Sequence, residues 1–551
     1  MTWKDFLSSK WFLLLLIFLW AVAYLPNFGN RTLRLEEGRR ALPAREMLQS
    51  GNFIVPTLYG DTYLNKPPLH FWIIAATSYV LGGEVTTWTA RLPSVISALL
   101  CALVAFQLGK RYLSPVGRAM SALFVLTTAT LLEKGMLAEI DTVLCLFVAW
   151  CMKLFWDAEV EHEKIPMNVW VKIGIILGFS ALHKGPTGPA IFYMTVVPYW
   201  LWVGKFRQLF TLSHIIAVVL STLPTIAWVV ALMKVTSFSL FQLINIASEQ
   251  VGVHQTTGMI AGTNSFSDSS HYVTFLPISL VMMAPGVFWI VFALSRRWSA
   301  WLNIPENWHK FLICGFVFPL FLTYLYPESR PRHLMPMFFM TAIFAATVVD
   351  YWIRNTTRLD ITDRLVTKIA LGFLAIIGAA AIYLMVRYYP QATWVAILTG
   401  VCTLVFVVMM WKWNRPPSHG FLNLAATTCV FFALIWMQMN ACIYPWLDTK
   451  SVKNREIATI KSEFPHIEQL WTTRSYALTG GDNLFNHCFH YSKHVRGVAV
   501  EDLTDFEGKR IVLLSEKELA TIKDRGKVRI LRAAPPIREG KILVVEMETV
   551  R

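Results

Sequence analysis

The stretch LRLEEGRRALPAREMLQSGNFIVPTLYGDTYLNKPPLHFW, residues 33–72, decides how this sequence is interpreted. It follows directly on the first apolar run of the chain. The charged side chains that it places there are Glu36, Glu37, Arg39, Arg40 and Lys66. Charges within or beside a membrane are costly, and those that are found there usually serve a function. We therefore expect the chemistry of the protein in this segment.

The composition predicts a membrane protein. Hydrophobic residues make up 55% of the 551 residues and charged residues only 15%, with a mean hydropathy of +0.48, whereas soluble domains carry roughly a quarter charged residues. Thirteen apolar runs recur, at residues 11–24, 92–108, 119–132, 142–155, 173–182, 191–203, 215–233, 273–294, 311–326, 333–349, 369–386, 392–411 and 422–439. A perpendicular membrane helix needs roughly 20 residues, and several runs are shorter. We predict a mainly α-helical, polytopic protein with about 13 spans.

The basic residues predict the orientation, because loops rich in Lys and Arg stay in the cytoplasm. With a cytoplasmic N-terminus, the loops on that side contain Lys4, Lys10, Lys110, Arg111, Arg118, Lys205, Arg207, Arg296, Arg297, Arg354, Arg358, Arg364, Lys412 and Arg415. The net charge of +15 then reflects topology and anionic lipids, and no nucleic-acid partner is expected. Lys4 and Lys10 before the first apolar run also fit a cleaved signal peptide. Whether the first apolar run is a retained membrane anchor or a cleaved signal peptide, the chain from residue 33 onward begins outside.

An odd number of spans places the C-terminal segment outside as well. We divide the chain into a membrane domain, residues 1–442, with outer loops 33–72 and 236–271, and a soluble domain, residues 443–551. The latter contains 18 Lys and Arg against 15 Asp and Glu. Within it RIVLLS and KILVVEME favour strands, while SVKNREIATIKSEF and SEKELATIKDR favour helices. A small extracytoplasmic α/β domain is expected, without a glycine-rich phosphate loop.

Acids and bases from distant positions meet on the predicted outer face. Besides the segment 33–72, this face receives Asp141 at the end of LLEKGMLAEID, His183 and Lys184 from ALHKGPTGP, and Arg330, Arg332 and His333 from YPESRPRHLMP. Cations bind phosphates, and carboxylates accept protons. The mixture indicates a site for a lipid-linked anion. Glu139, two residues before Asp141, is expected on another face and in solvent.

These elements together resemble one family. The segment 33–72, Asp141, the HKG at residues 183–185 and SRPRHLMPMFF from Ser329 are similar to motifs of the polyprenyl-phosphate-dependent GT-C-type glycosyltransferases. That group includes bacterial lipid A aminoarabinose transferases and, more distantly, protein O-mannosyltransferases. The order of the motifs, the number of spans and the outer C-terminal domain fit, so the resemblance covers nearly the whole chain.

The sequence departs from the family pattern in the first loop and in a later one. Glu36 stands where the family usually has Asp, and Asn65 stands where aminoarabinose transferases tend to have Glu. Val253 occupies a position where relatives often have Arg. The donor sugar and the presence of a divalent metal at this edge therefore stay open, and no cofactor is predicted.

The resemblance implies direct displacement at the anomeric carbon of a sugar. Glu36 would be the general base, with Asp141 and Lys66 as the other catalytic residues. The substrate-binding residues would be Glu37, Arg39, Arg40, Lys184, Arg330, Arg332 and His333. The donor would be a sugar on a polyprenyl phosphate, and the acceptor a lipid A-like or other envelope molecule, at the bacterial inner membrane.

Plainer interpretations stand beside each assignment. Glu36 and Glu37 also suit the positive end of the helix that follows, Asp141 also suits a helix cap, and Lys66 also suits an anchor in lipid headgroups. Arg330, Arg332 and His333 also suit headgroup anchoring, and His183 and Lys184 suit interfacial solvation. For the whole protein, the alternatives are a transporter or flippase of lipid-linked sugars and a non-catalytic scaffold. Against a transporter, the sequence has no paired Gly/Pro-broken spans in two halves.

Overall fold

A computed structural model describes most of the membrane part of the chain. The described residues are 10–246 without 27, 30 and 35, then 270–290, 304–355 without 327 and 328, and 420–440, together with scattered positions and the strands of the C-terminal part. Most of the runs 369–386 and 392–411, residue 253 and most of the loop 236–271 lie outside the described residues.

The described chain is mainly helical, as predicted. In chain order the helices are α1 Lys10–Tyr24, α2 Gly38–Ser50, α3 Leu69–Val80, α4 Thr87–Leu108, α5 Pro115–Thr127, α6 Ala129–Lys134, α7 Ile140–Glu161, α8 Met167–Lys184, α9 Thr187–Trp202, α10 Leu212–Thr236, α11 Ser270–Met282, α12 Glu306–Tyr324, α13 Met335–Asn355 and α14 Gly420–Gln438. A 3₁₀ turn, Pro331–Leu334, leads into α13. Most of the predicted apolar runs that fall on described residues coincide with these helices.

Three helical stretches in the described chain are long and apolar enough to cross a membrane. They are Thr87–Arg111, Leu212–Thr236 and Pro331–Arg354. Shorter apolar helices accompany them, among them Trp11–Tyr24 and Pro115–Thr127. The total of about 13 spans stays a prediction.

The helices pack around a continuous aromatic core. Trp156 on α7 stacks on Phe311 of α12, with ring centroids 4.4 Å apart, and Trp308 lies 5.1 Å from Trp156. Tyr199 on α9 meets Phe311 edge to face at 5.7 Å. Large aromatic surfaces with complementary ring geometry add about 0.5–1.5 kcal/mol per pair beyond their burial. These contacts fix α7, α9 and α12 relative to one another.

The segment after α2 turns back on itself in a short hairpin. Strands β1, Thr57–Leu58, and β2, Asp61–Thr62, pair antiparallel, and Tyr59 and Gly60 between them have φ of 61° and 85°. Two positive φ angles in a two-residue loop are typical of a type I′ turn. Glu46 on α2 fastens this turn, because its carboxylate accepts the Tyr59 amide at 2.7 Å, the Gly60 amide at 3.2 Å and the Thr57 hydroxyl at 2.6 Å.

The C-terminal part contains a five-stranded mixed sheet. Its strands are β3 Gln469–Thr473, β4 His494–Val498, β5 Lys509–Ser515, β6 Lys527–Ala533 and β7 Ile542–Glu548, in the order β4-β3-β5-β7-β6. The two segments predicted as strands form β5 and β7. The two predicted helices lie largely outside the described residues.

The sheet touches the hairpin of the first loop. The Gly497 amide on β4 donates to the Tyr59 carbonyl at 2.8 Å. Leu470 and Leu513 of the sheet are buried in one hydrophobic cluster with Leu58 and Met47. The C-terminal sheet and the segment 33–72 therefore share a core, and both lie at the same end of the helical bundle.

Candidate functional site

Glu36 lies between two guanidinium groups. Its Oε2 accepts from Arg40 Nη2 at 2.6 Å, and its Oε1 accepts from Arg332 Nη2 at 2.9 Å. Arg40 is one turn further along the start of α2, while Arg332 comes from the 3₁₀ turn before α13, 296 positions away in sequence. The Glu36 side chain is 7% exposed. The structure thus joins the first loop to the SRPRH segment through this carboxylate.

Glu37 is turned away from Glu36 and lies in a fully buried ion pair. Arg91 on α4 donates to it through Nε at 2.6 Å and Nη2 at 2.8 Å. The amides of Ala138 and Arg34 also donate to Glu37, at 2.8 and 2.7 Å. Burial alone would raise the pKa of this carboxyl, but Arg91 and the two amides hold it below its usual value. Each oxygen of Glu37 thus accepts two hydrogen bonds from the protein, and the carboxylate fastens the loop to α4.

Asp141 pairs with Lys184 across two helix ends. Asp141 lies in the first turn of α7 and Lys184 in the last turn of α8, and the Lys184 amine donates to Asp141 Oδ1. The adjacent His183 is fully buried, and its Nε2 lies 2.9 Å from the Ile140 carbonyl. His183 and Lys184 therefore hold the start of α7 in place from one side. The structure brings Asp141 and Lys184 together, as expected for one outer face.

Lys66 lies in the same cluster of charges. It follows the hairpin and precedes Pro67 and Pro68, which restrict the backbone before α3. Its pKa is lowered to about 8, because burial disfavours the charged amine and the nearby Arg40 adds positive charge, only partly offset by Glu36. Among the residues that the structure describes, no carboxylate forms an ion pair with Lys66. The Lys66 amine is thus a cation that is not neutralised within this part of the protein.

Glu139 corrects the sequence analysis, which placed it in solvent. The residue is 3% exposed and its Oε1 accepts from Lys134 Nζ at 3.1 Å. Burial raises its pKa to about 6, although Lys134 and Arg332 oppose the shift. The tight turn between α6 and α7 explains the difference, because it folds Lys134 and Glu139 toward the same interior. Glu139 and Lys134 therefore belong to the charged cluster.

The remaining predicted residues are Arg39, Arg330 and His333. Arg39 is buried at the start of α2. The Arg330 amide donates to His333 Nδ1 at 3.2 Å across the 3₁₀ turn, so that Nδ1 is the acceptor nitrogen in this arrangement. Both residues are partly buried and flank Arg332.

Two buried groups beside Glu36 have unused hydrogen-bond donors. In the described part of the chain, Arg40 Nε, Arg40 Nη1 and the Tyr63 hydroxyl have no hydrogen-bond partner although all three atoms are buried. Tyr63 interacts electrostatically with Arg40. Buried polar groups are nearly always hydrogen-bonded in proteins, so each exception calls for an explanation. An anionic or hydroxylated ligand would supply the missing acceptors.

Several functional candidates were missed by the sequence analysis. Arg91 stands within an apolar helix, which is itself a signal, because an intramembrane cation is rarely without a partner. Tyr63 lies three residues before Lys66 but gave no signal of its own. Lys134 and Glu139 offered none, since their pairing depends on the turn between two helices.

The described residues do not form a ready metal site. Among them, no three His, Cys, Asp or Glu side chains lie together in an arrangement that holds a metal ion. The acids of the cluster, Glu36, Glu139 and Asp141, each form an ion pair with a cationic side chain. A divalent ion would have to displace these cations to gain ligands.

Comparison with known proteins agrees with the motifs. The profile of a family described as dolichyl-phosphate-mannose-protein mannosyltransferase matches residues 65–232. Undecaprenyl phosphate-alpha-4-amino-4-deoxy-L-arabinose arabinosyl transferase 2 of Proteus mirabilis is 26% identical over 332 residues, and the transferase of the same description from Erwinia tasmaniensis is 27% identical over 341 residues. Each match covers 60% of this chain and 58% of the relative, so the chain matches about three fifths of the length of these relatives.

Solved structures extend the likeness to almost the entire fold. The crystal structure of ArnT from Cupriavidus metallidurans bound to undecaprenyl phosphate has a TM-score of 0.66 with 17% identity, and the match covers 97% of both chains. The apo state of that protein gives a TM-score of 0.67. The shared fold, the curated relatives and the matched profile confirm the resemblance predicted from the motifs: the chain resembles the GT-C-type glycosyltransferases that use polyprenyl phosphates, with the aminoarabinose transferases among its relatives.

Proposed function

We propose that the protein is an integral membrane glycosyltransferase. It moves a sugar from a polyprenyl-phosphate donor to a lipid A-like or other cell-envelope acceptor, on the outer face of the bacterial inner membrane. The observation that carries this proposal is the charged cluster. Lys66 has no ion-pair partner in the described chain and lies near Arg40, Arg332, Lys184 and the carboxylate of Glu36, and Lys184 in turn pairs with Asp141.

The cations of the cluster suit a phosphate. Arg332 and Arg40 offer planar forks of N–H donors, and Arg40 has two buried donors without partners in the described residues. Guanidinium forks match the oxygens of phosphates, while the compact ammonium of a lysine adds a point charge. Lys66 and Arg332 would hold the donor phosphate and stabilise the charge that develops on it. Lys184 adds positive charge near Lys66, and Arg330 and Lys184 add it near His333.

The carboxylates suit the proton transfer. The acceptor hydroxyl oxygen forms a bond to the anomeric carbon as the bond from that carbon to the phosphate oxygen breaks. The electron pair stays on the phosphate, and the hydroxyl proton passes to a carboxylate, for which Glu36 is our first assignment. General base catalysis contributes typically about 10²–10⁴-fold. The leaving group is a phosphate monoester that needs no protonation, so this chemistry requires one base and several cations, unlike the two carboxylates of glycosidases.

The rest of the fold fits a lipid substrate. The polyprenyl chain would lie along the apolar helices next to the cluster, such as the span Thr87–Arg111, and α2 would lie along the membrane interface beside it. The C-terminal sheet packs on the first loop. With the loop on the outer face, the sheet lies on that face too, in agreement with an extracytoplasmic domain.

Reconstitution tests the proposal directly. Purified protein in proteoliposomes receives a polyprenyl-phosphate-linked aminopentose and lipid A, and mass spectrometry follows both lipids. Transfer adds the mass of the sugar residue to the acceptor and releases polyprenyl phosphate. Movement of an intact donor across the bilayer without transfer would favour the transporter instead. In cells that lack the protein, the lipids that accumulate identify the natural donor.

A further inference from the structure

We propose that Arg332 is a shared cation for which Glu36 and the donor phosphate compete. In the free protein Arg332 holds the carboxylate of Glu36, and in the donor complex the phosphate takes over this guanidinium. Donor binding thereby releases the base that the acceptor needs. This inference rests on the proposed function and assigns to Arg332 a positioning role beyond phosphate binding.

The geometry of Glu36 is the starting point. One guanidinium lies on each of its two oxygens, at 2.6 Å for Arg40 and 2.9 Å for Arg332. A cation within hydrogen-bond distance stabilises the ionised form of a carboxylate. A general base must instead present an oxygen to the substrate and take up a proton. The arrangement in the free protein is thus a resting one, from which one cation has to withdraw.

Exposure decides which cation withdraws. The Arg40 side chain is 3% exposed and belongs to the same helical segment as Glu36, four residues away. The Arg332 side chain is 23% exposed and comes from a separate 3₁₀ turn. An anion that approaches from outside meets Arg332 first. The ion pair between Arg40 and Glu36 would remain and would hold the Glu36 side chain in position.

The surrounding charges favour this exchange. Lys66 lies within electrostatic range of Arg332, Arg40 and Lys184, and Glu36 partly opposes their field at its amine. A phosphate seated by Lys66 would thus be attracted to Arg332 as well, and its oxygens match a guanidinium fork better than one carboxylate oxygen does. Two anions that need the same cation weaken each other's binding.

One functional consequence follows for the order of events. The proton acceptor becomes available only when the donor phosphate is in place. An acceptor that arrives first meets a carboxylate that is still held by both guanidinium groups. Through Arg332, binding of the phosphate is thus coupled to release of the Glu36 carboxylate.

Binding of a sugar-free ligand tests the competition. Purified protein in nanodiscs is titrated with undecaprenyl phosphate, and the dissociation constants of variants are compared. Glu36→Gln should bind this lipid roughly fivefold more tightly than the parent or better, the lower end of ordinary coupling between two ligands. Arg332→Gln should bind it more weakly. In the double variant the gain from Glu36→Gln should vanish, since no Arg332 is left to be released.

Asp141→Asn is the matched control, because it removes a carboxylate of the same cluster that pairs with Lys184 and acts on Arg332 only through the electrostatic field. Any gain from its general electrostatic effect should persist in the Arg332→Gln background. Glu36→Asp is the second variant should Glu36→Gln fail to fold, and its shorter reach should shift the affinity in the same direction. Unchanged or weaker binding by both Glu36 variants overturns the competition while the transferase proposal stands. A parent protein that does not bind undecaprenyl phosphate overturns both.

Discussion

Arg91 donates two hydrogen bonds to Glu37, at 2.6 and 2.8 Å, and the side chains are 1% and 0% exposed. The same guanidinium donates to the carbonyls of Arg31 at 3.0 Å and Thr32 at 2.9 Å. One buried arginine thus fastens both the backbone and the acid of the loop that precedes α2. The ion pair between Arg91 and Glu37 therefore helps to position the adjacent Glu36.

Loss of one partner from this pair should destabilise the protein. Glu37→Gln leaves the Arg91 charge buried and uncompensated, which typically costs about 3–5 kcal/mol of the free energy of unfolding. Thermal unfolding of the detergent-solubilised parent and variant measures this loss of stability. The control is Glu161→Gln in the exposed pair with Arg111, whose side chains are 55% and 51% exposed, where a change of at most about 1 kcal/mol is expected. Equal stability of the two variants would contradict the anchoring role.

Substitution of Glu36 should affect the chemical step. Glu36→Gln keeps the shape of the side chain but cannot accept the proton, so turnover should fall by roughly 10²-fold or more. Glu36→Asp retains a carboxylate and should keep substantial activity. Single-turnover transfer from a labelled donor measures both. Folded Glu37→Gln protein is the control and should lose less. A Glu36→Gln variant that turns over at the parent rate would remove Glu36 as the base.

The charge of Lys66 predicts a loss of activity at alkaline pH. Its pKa of about 8 in the free protein lies below the ordinary value of 10.5, so the amine carries its charge below pH 8 and loses it as the pH rises further. The rate constant kcat/KM for the donor reports groups of the free enzyme and should fall above pH 8. Lys66→Ala should abolish transfer in folded, inserted protein. Lys66→Arg should restore part of it and extend the profile to higher pH, because a guanidinium stays charged. Full activity of Lys66→Ala would contradict the assignment.

The burial of Glu139 predicts a stability that depends on pH. Its pKa is raised from 4.5 to about 6, so the protonated form favours the folded state. This contribution is complete below pH 4.5 and is lost as the pH rises through 6, and it amounts to about 2 kcal/mol. Between pH 4.5 and pH 7, the free energy of unfolding of the parent should fall, relative to that of Glu139→Gln, by most of this amount. Glu133→Gln, at a side chain that is 44% exposed, should follow the parent. Parallel curves for all three proteins would show that Glu139 is not desolvated.

The topology can be tested with fusions. A periplasmic reporter attached after Trp446 should be active, because the basic loops predict an exported C-terminus. A fusion after Lys205 is the control and should report the cytoplasm. A cytoplasmic signal after Trp446 would move the C-terminal sheet, and with it the first loop that it contacts through Tyr59 and Gly497, to the other side. The site would then face the cytoplasm.

The sequence alone determined the properties that depend on local composition. Apolar runs predicted the helices, because hydropathy acts over a single span. The charges around Glu36 and Lys66, the acid at Asp141 and the basic segment around Arg332 stood out, because ionisable groups at a membrane boundary are rare. The segments RIVLLS and KILVVEME predicted two strands of the C-terminal part for the same local reason.

Only the tertiary structure decided which charged side chains form ion pairs with each other. Glu36 and Glu37 are neighbours in sequence with the same side chain, yet one faces Arg332 from 296 positions away and the other faces Arg91 inside the bundle. Glu139 is buried with Lys134 because a turn between helices closes over both. No local pattern encodes these pairs, since a charge is stabilised in a low-dielectric interior only by the partner that the packing of distant helices brings within hydrogen-bond distance.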